Sequence, residues 1–195
     1  MVANFARVDT ELALGERVAL HAFSVGAAFE LRRSPALTIQ LAAGSPVGGH
    51  LDVAGNRHAI GPGVLLAAGA SYRLVDGAGA APFVVASGAL GASTFSTDGP
   101  AGERSRMSAG DLRAGLVVGK TFFDVVSPYV AVRGFFGPVS WRARVAGAPK
   151  DLDGGDAHHY QLGGGFVTGH RGVDLAVEVM PLGEERYVVA LGVSF

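Results

Sequence analysis

The sequence predicts an all-β protein, an antiparallel up-and-down β-barrel of about ten strands (eight to ten), formed by residues 1–195 as one domain. Three observations predict it. Large apolar residues alternate with small or polar ones along most of the 195 residues. Thirty glycines and nine prolines punctuate the chain, so that no window of a dozen residues keeps a helical apolar stripe. The mean hydropathy is high, +0.33, with only 17% charged residues, yet no run approaches the ~20 apolar residues of a membrane helix. Any contact with a bilayer therefore falls to strands.

The same composition excludes other classes. A net charge of −1 gives no basic excess for nucleic acid, the apolar content is too high for a disordered chain, and the absence of cysteine removes a disulfide scaffold. Residues 1–10 hold no apolar leader core, since Arg7 and Asp9 interrupt it, so an exported protein is expected here without its signal peptide.

The strands follow in order. In the first, Val8, Leu12 and Leu14 oppose Arg7, Asp9 and Glu11; then Phe23, Val25, Ala27, Phe29 and Leu31 oppose Ser24, Gly26 and Glu30. Leu37, Ile39 and Leu41 oppose Thr38 and Gln40, and Val64 to Leu74 at alternate positions oppose Ser71 and Arg73. Residues 80–96 are apolar on both faces, while Leu112, Ala114, Leu116 and Val118 oppose Asp111, Arg113 and Gly115. Residues 128–143 put Tyr129 and Trp141 in phase with Arg133, which a bulge near Gly134 or Gly137 would reconcile with an apolar outer face. Tyr160, Leu162 and Phe166 oppose Gln161 and Gly163, and Val173, Leu175, Val177 and Val179 oppose Asp174 and Glu178. In the last strand Tyr187, Val189, Leu191, Val193 and Phe195 share one face, because successive strand side chains point to opposite sides.

Segment lengths cluster near the ~9 to 11 residues that a tilted strand needs to cross a bilayer. Residues 97–108 and 144–157 read as long polar loops and residues 44–63 as a long loop or an irregular strand end, against short turns at 32–35, 75–80, 124–127, 169–172 and 181–186. Short turns on one side and long loops on the other are a transmembrane-barrel pattern.

The closing stretch, residues 187–195, resembles the terminal strand of bacterial outer-membrane β-barrel proteins, which ends in an aromatic residue after alternating apolar positions. The resemblance implies an assembly signal at Tyr187, Val189, Leu191, Val193 and Phe195, read by the barrel-assembly machinery, and a place in the bacterial outer membrane. Residues 128–134 also look like a strand of small outer-membrane barrels, whose aromatic near the turn sits at the membrane boundary.

On this reading a charged lumen network is expected from Arg73, Arg113, Arg133, Asp174 and Glu178, with Arg133 pairing to Asp174 or Glu178 one strand away. Arg7, Asp9, Glu11, Glu30 and Asp111 are expected to face the lumen as well. Small residues at Gly163, Gly165, Ala190 and Gly192 would leave room for a conduction path. Trp141 reads as an interfacial anchor.

Asp151, Asp153, Asp156, His158 and His159 fit neither calcium-loop nor zinc-motif spacing, so no metal and no cofactor are expected, and no catalytic residue is assigned. The expected function is a structural or narrow-pore barrel without catalytic activity, with outer-membrane lipid and the assembly machinery as partners and no nucleic acid. The alternatives are a lipid-directed barrel enzyme of acyl hydrolase type and a soluble barrel carrying an apolar ligand.

Overall fold

In the computed structural model, which describes residues 1–145 and 148–193, every regular element is a strand. They are β1 (Val2–Ala13), β2 (Arg17–Arg32), β3 (Leu37–Val53), β4 (Asn56–Asp76), β5 (Phe83–Asp98), β6 (Arg104–Gly119), β7 (Val126–Phe136), β8 (Pro138–Val145), β9 (Ala148–Asp156), β10 (Tyr160–His170), β11 (Val173–Gly183) and β12 (Glu185–Val193). Ten of them, all but β8 and β9, form one antiparallel barrel that β1 and β12 close through pairs from Val2 with Gly192 to Asp9 with Glu185. The all-β barrel expected from the alternation is the fold.

The strands fall into two length classes. β7, β10, β11 and β12 have 9 to 11 residues, the length that crosses a bilayer at a tilt. β2 to β6 have 16 to 21 and rise well beyond the others. Where the short strands stop, the β8–β9 hairpin takes over. β8 pairs with β6 from Arg106 with Arg142 to Ala109 with Val139, and β9 pairs with β1 at Leu12 with Asp156 and Ala13 with Gly155. The wall thus continues upward as a second closed sheet of eight strands, in the order β1-β2-β3-β4-β5-β6-β8-β9.

The two tiers have opposite polarity, and single strands show the reversal. On β6 the outward residues Leu112, Ala114, Leu116 and Val118 are apolar, while Arg104, Arg106 and Ser108 above them are polar. The inward residues reverse in step, from Asp111 and Arg113 below to Met107 above. On β5 the outward face runs from Val84, Ala86 and Leu90 up to Thr94, Ser96 and Asp98, while Phe95 turns inward. An apolar exterior over a polar interior suits lipid, and a polar exterior over an apolar core suits water, so the bilayer contacts the lower tier and ends where the polarity reverses. Exposed Phe29, Tyr72 and Phe166, with Phe136, Tyr160 and Tyr187 toward the other end, supply aromatic side chains to the belt.

Bulges adjust the faces. On β3 the register slips between the pairs Ser24 with Pro46 and Phe23 with Gly48, and one extra residue exchanges inside for outside. Below the slip Ile39 and Leu41 point to lipid; above it Leu51 and Val53 point into the core and His50 and Asp52 point out. A slip on β4 between Ile60 and Gly63 does the same.

Several expectations are corrected by this two-tier arrangement. Arg7, Asp9 and Glu11 lie on the outer face, and Val8 and Leu12 point inward, because the upper half of β1 belongs to the tier with an apolar interior. The expected long loops at 97–108 and 144–157 are mostly strand: only residues 99–103 separate β5 from β6, and 138–156 holds the β8–β9 hairpin. Residues 44–63 are likewise the ends of β3 and β4 around a turn at Ala54 and Gly55. The upper side carries long strands where long loops were expected, since an apolar interior gives those segments something to pack on. Tyr129 points into the lumen, in phase with Arg133 as the sequence had it, and no bulge turns either outward. Trp141 is 0% exposed inside the upper core, so it is no interfacial anchor. Phe195 lies outside the described residues; Tyr187, Val189, Leu191 and Val193 share the outer face as expected.

Candidate functional site

The candidate site is the lumen, built in two layers. The upper layer is a continuous apolar core with contributions from all eight strands of the second closure: Leu12, Val18, Leu51, Val53, Ile60, Phe95, Met107, Val139, Trp141, Ala143 and Leu152, joined by Leu14 from the first turn. Eight strands enclose an interior that side chains can fill. Trp141 sits at the centre of this filling. Its indole Nε1 donates to Thr97 Oγ1 at 3.0 Å, which satisfies the polar edge of an otherwise dry side chain, and the His58 ring meets it edge-on at 5.0 Å.

Below the core lies a layer of charge. Arg133 on β7 donates through both Nη atoms to Glu178 on β11, at 2.7 and 2.5 Å, with side chains 19% and 12% exposed. The Tyr129 hydroxyl donates to the same carboxylate at 3.1 Å. β10 runs between these strands, and its inward position at Gly165 explains how they meet, because a Cβ there would lie 2.8 Å from the Tyr129 hydroxyl. The space expected to leave a path beside Gly165 is filled by Tyr129.

A second pairing stands on β6. Arg113 binds Asp111 on its own strand and Glu184 at 3.2 Å, and its guanidinium lies 4.8 Å from the centre of the Phe135 ring. Gln161 donates to Glu184 at 2.5 Å. Arg186 completes the layer. Arg113, Arg133 and Arg186 face Asp111, Glu178 and Glu184, so the layer balances charge within itself. Asp156, on β9 outside the membrane-spanning strands, adds a further carboxyl. Burial first, and then the nearby Glu184, push it up to about 6.

Of the five lumen residues that the sequence singles out, the structure brings together Arg133 with Glu178, and places Arg113 in a separate pairing with Asp111 and Glu184. Arg73 and Asp174 lie on inward faces near the lower ends of β4 and β11, with no ion-pair partner among the described residues. They are too low in the barrel to reach the layer. Sequence reasoning missed Glu184, Gln161 and Arg186. Glu184 lies in the turn between β11 and β12, where alternation assigns no face, and it enters the lumen because the register of β10 and β11 slips just before it. Beneath the charges a cavity of about 430 Å³ is lined by small residues such as Gly69, Ser71, Ser87 and Ala89 together with Tyr129, Arg133 and Arg186.

The outer wall of the upper tier carries a second cluster that the sequence did not suggest. Asp9, His21 and His50 are directly opposed across β1, β2 and β3. His21 Nδ1 lies 2.7 Å from Asp9 Oδ1, and the two imidazole rings are 4.8 Å apart. His50 Nε2 is 3.3 Å from Asp52 Oδ2, and the other oxygen of Asp52 accepts from Arg57 Nε at 3.1 Å. That hydrogen bond leads the causes that hold the Asp52 carboxyl below its usual range. No spacing in the sequence could reveal this row, because it crosses three strands and depends on the β3 bulge.

The closed ten-stranded sheet, its apolar outer belt and its charged lumen define the architecture of a transmembrane β-barrel of the bacterial outer-membrane type. Solved structures share that fold. The outer membrane protease OmpT from Escherichia coli matches with a TM-score of 0.62 at 11% identity, over 100% of this chain and 93% of that one. The translocator domain of the autotransporter NalP from Neisseria meningitidis matches at 0.55 and 13%, over 100% and 87% of the two chains. The β domain of the Bordetella autotransporter BrkA matches at 0.54 and 12%, over 100% and 98%. No protein-family description and no curated protein matches the chain.

These likenesses establish the fold, and they overturn one expectation. The sequence reading held the protein to be without catalytic activity, but the same architecture carries a protease as well as translocators. Its catalytic status is therefore open.

Proposed function

We propose that the protein is an outer-membrane barrel of structural, non-conducting type, anchored in lipid by its lower tier and presenting a rigid upper tier above the membrane. The observation that carries this reading is the apolar core of the upper tier, in which Trp141, Leu12, Leu51 and Met107 are all but inaccessible to solvent. A path for ions would have to cross that core, then pass the Arg133–Glu178 and Arg113–Glu184 pairs. An ion in a dry apolar layer has no ligands to replace its water, which makes that layer the barrier. The same blockage argues against a narrow pore through this barrel.

The partners follow from the surface. The belt residues, among them Leu66, Leu90, Val130 and Leu191, are exposed in water and suit the lipid of the outer membrane. The terminal strand presents Tyr187, Val189, Leu191 and Val193 outward, an arrangement that supports recognition by the barrel-assembly machinery.

Reconstitution into planar lipid bilayers tests the proposal. The wild-type protein should insert and show no unitary conductance. A steady single-channel current from correctly folded wild-type barrel would replace the structural reading with the pore.

A further inference from the structure

We propose that His21, His50 and Asp52 form a binding site for a divalent transition-metal ion of the zinc class on the outer wall of the upper tier. The three residues offer one donor atom each, and all three atoms lie within 4.8 Å of one another. Two of them already stand at a ligand spacing. His50 Nε2 and Asp52 Oδ2 are 3.3 Å apart, and two donors of a tetrahedral zinc ion, each at ~2.0 to 2.1 Å, are separated by about 3.3 Å. The third donor, a ring nitrogen of His21, lies within the same 4.8 Å, and a tilt of this 37% exposed ring about its hydrogen bond to Asp9 closes the set.

The residues around the cluster are arranged as supports for a metal site. Asp9 Oδ1 lies against His21 Nδ1 at 2.7 Å, which places the ring proton on Nδ1 and leaves the Nε2 lone pair available. Arg57 holds one oxygen of Asp52 and leaves the other facing His50. Arg7, at 2.7 Å from Asp9 Oδ2, balances the Asp9 charge. Two histidines and one carboxylate leave a coordination position open to water, so the site is of the open kind, in reach of ligands from outside.

The backbone supports the same conclusion. His50 faces outward because of the bulge in β3, and at Gly49 that strand passes close against β2: a Cβ there would overlap the His21 carbonyl oxygen. The bulge therefore sets His50 directly opposite His21. Without the extra residue, His50 would point into the core and Leu51 into water.

The test uses the tag-free, full-length barrel in detergent micelles after removal of metal. Zinc titration by calorimetry should show one ion per chain, and cobalt added in its place should give the visible absorption of a low-symmetry site with nitrogen and oxygen ligands. His50→Ala and His21→Ala should each lower zinc affinity at least ~10-fold, and Asp9→Asn, which acts only through His21, by about 10-fold. His170→Ala, at the opposite end of the barrel, should leave it unchanged. Each variant is checked for folding by the heat-dependent shift of its electrophoretic mobility. Failure of the wild type to bind zinc or cobalt in stoichiometric amount would overturn the proposal. Binding that survives in the folded His21→Ala/His50→Ala double variant would overturn it too, assigning the ion to another group such as the Asp153, Asp156 and His158 region.

Discussion

The Arg133–Glu178 pair shows what a single residue does in this lumen. Both side chains are mostly removed from water, their hydrogen bonds are bidentate, and Tyr129 takes up part of the remaining acceptor capacity of the carboxylate. Removing one partner leaves the other desolvated and unpaired, which costs more than the pair itself contributes. Arg133→Ala should therefore destabilise the folded barrel by ~3 to 5 kcal/mol, while Arg133→Ala with Glu178→Gln should recover a substantial part of that loss. Denaturant-induced unfolding in lipid vesicles measures both. Equal losses for the single and double variants would show that packing, and not charge, holds this layer. The pair was legible in the sequence, because alternation gave both residues the inner face and strand order placed them one strand apart. Alternation gives Asp174 the same inner face, but it stands four residues from Glu178 along the strand, more than 13 Å at ~3.3 Å per residue, out of reach for a pair that needs contact.

At the scale of the element, the bulges govern what a strand says about itself. Period-two alternation assigns faces only while the register is unbroken, and one extra residue reverses every assignment beyond it. The lipid faces of β7, β11 and β12 were legible because the stretches used to assign them have no slip; the outer faces of β3 and β4 beyond their slips, above the membrane, were not. Gly49 is the sharpest case. Its φ of +126° is a conformation that side chains resist, and the close approach to His21 leaves no room for a Cβ. Gly49→Ala should cost ~1 to 3 kcal/mol, since the strain falls on the backbone pairing of β2 with β3. Gly15, also at positive φ but in an open turn with nothing near it, provides the contrast: Gly15→Ala should cost less. Thermal unfolding of the two variants side by side separates the close approach from the dihedral preference, and an equal shift would assign the whole effect to φ.

The whole molecule is two closed sheets of opposite polarity sharing six strands, and this is what sequence alone reads least well. Alternation reports that a strand has two unlike faces; it does not report which face looks out. Leu12 and Leu191 look alike in sequence, yet Leu12 is 2% exposed inside the upper core and Leu191 is 51% exposed on the belt. The lone tryptophan tests this inversion directly. As an interfacial anchor Trp141 would be quenched by lipids brominated along their acyl chains, whereas in the upper core it should keep a blue-shifted emission that such lipids leave unchanged. Trp141→Ala should then cost ~3 to 5 kcal/mol, the range for emptying a large buried aromatic site, and strand Thr97 without its donor. Because the lower tier is closed by its own β1–β12 pairing, the damage should be local. Hydrogen exchange should speed up in β8, β9 and the upper parts of β3 to β6, with β10, β11 and β12 still protected. Loss of protection throughout the barrel would mean that the two tiers fold as one unit and that the upper core also holds the membrane-spanning part together.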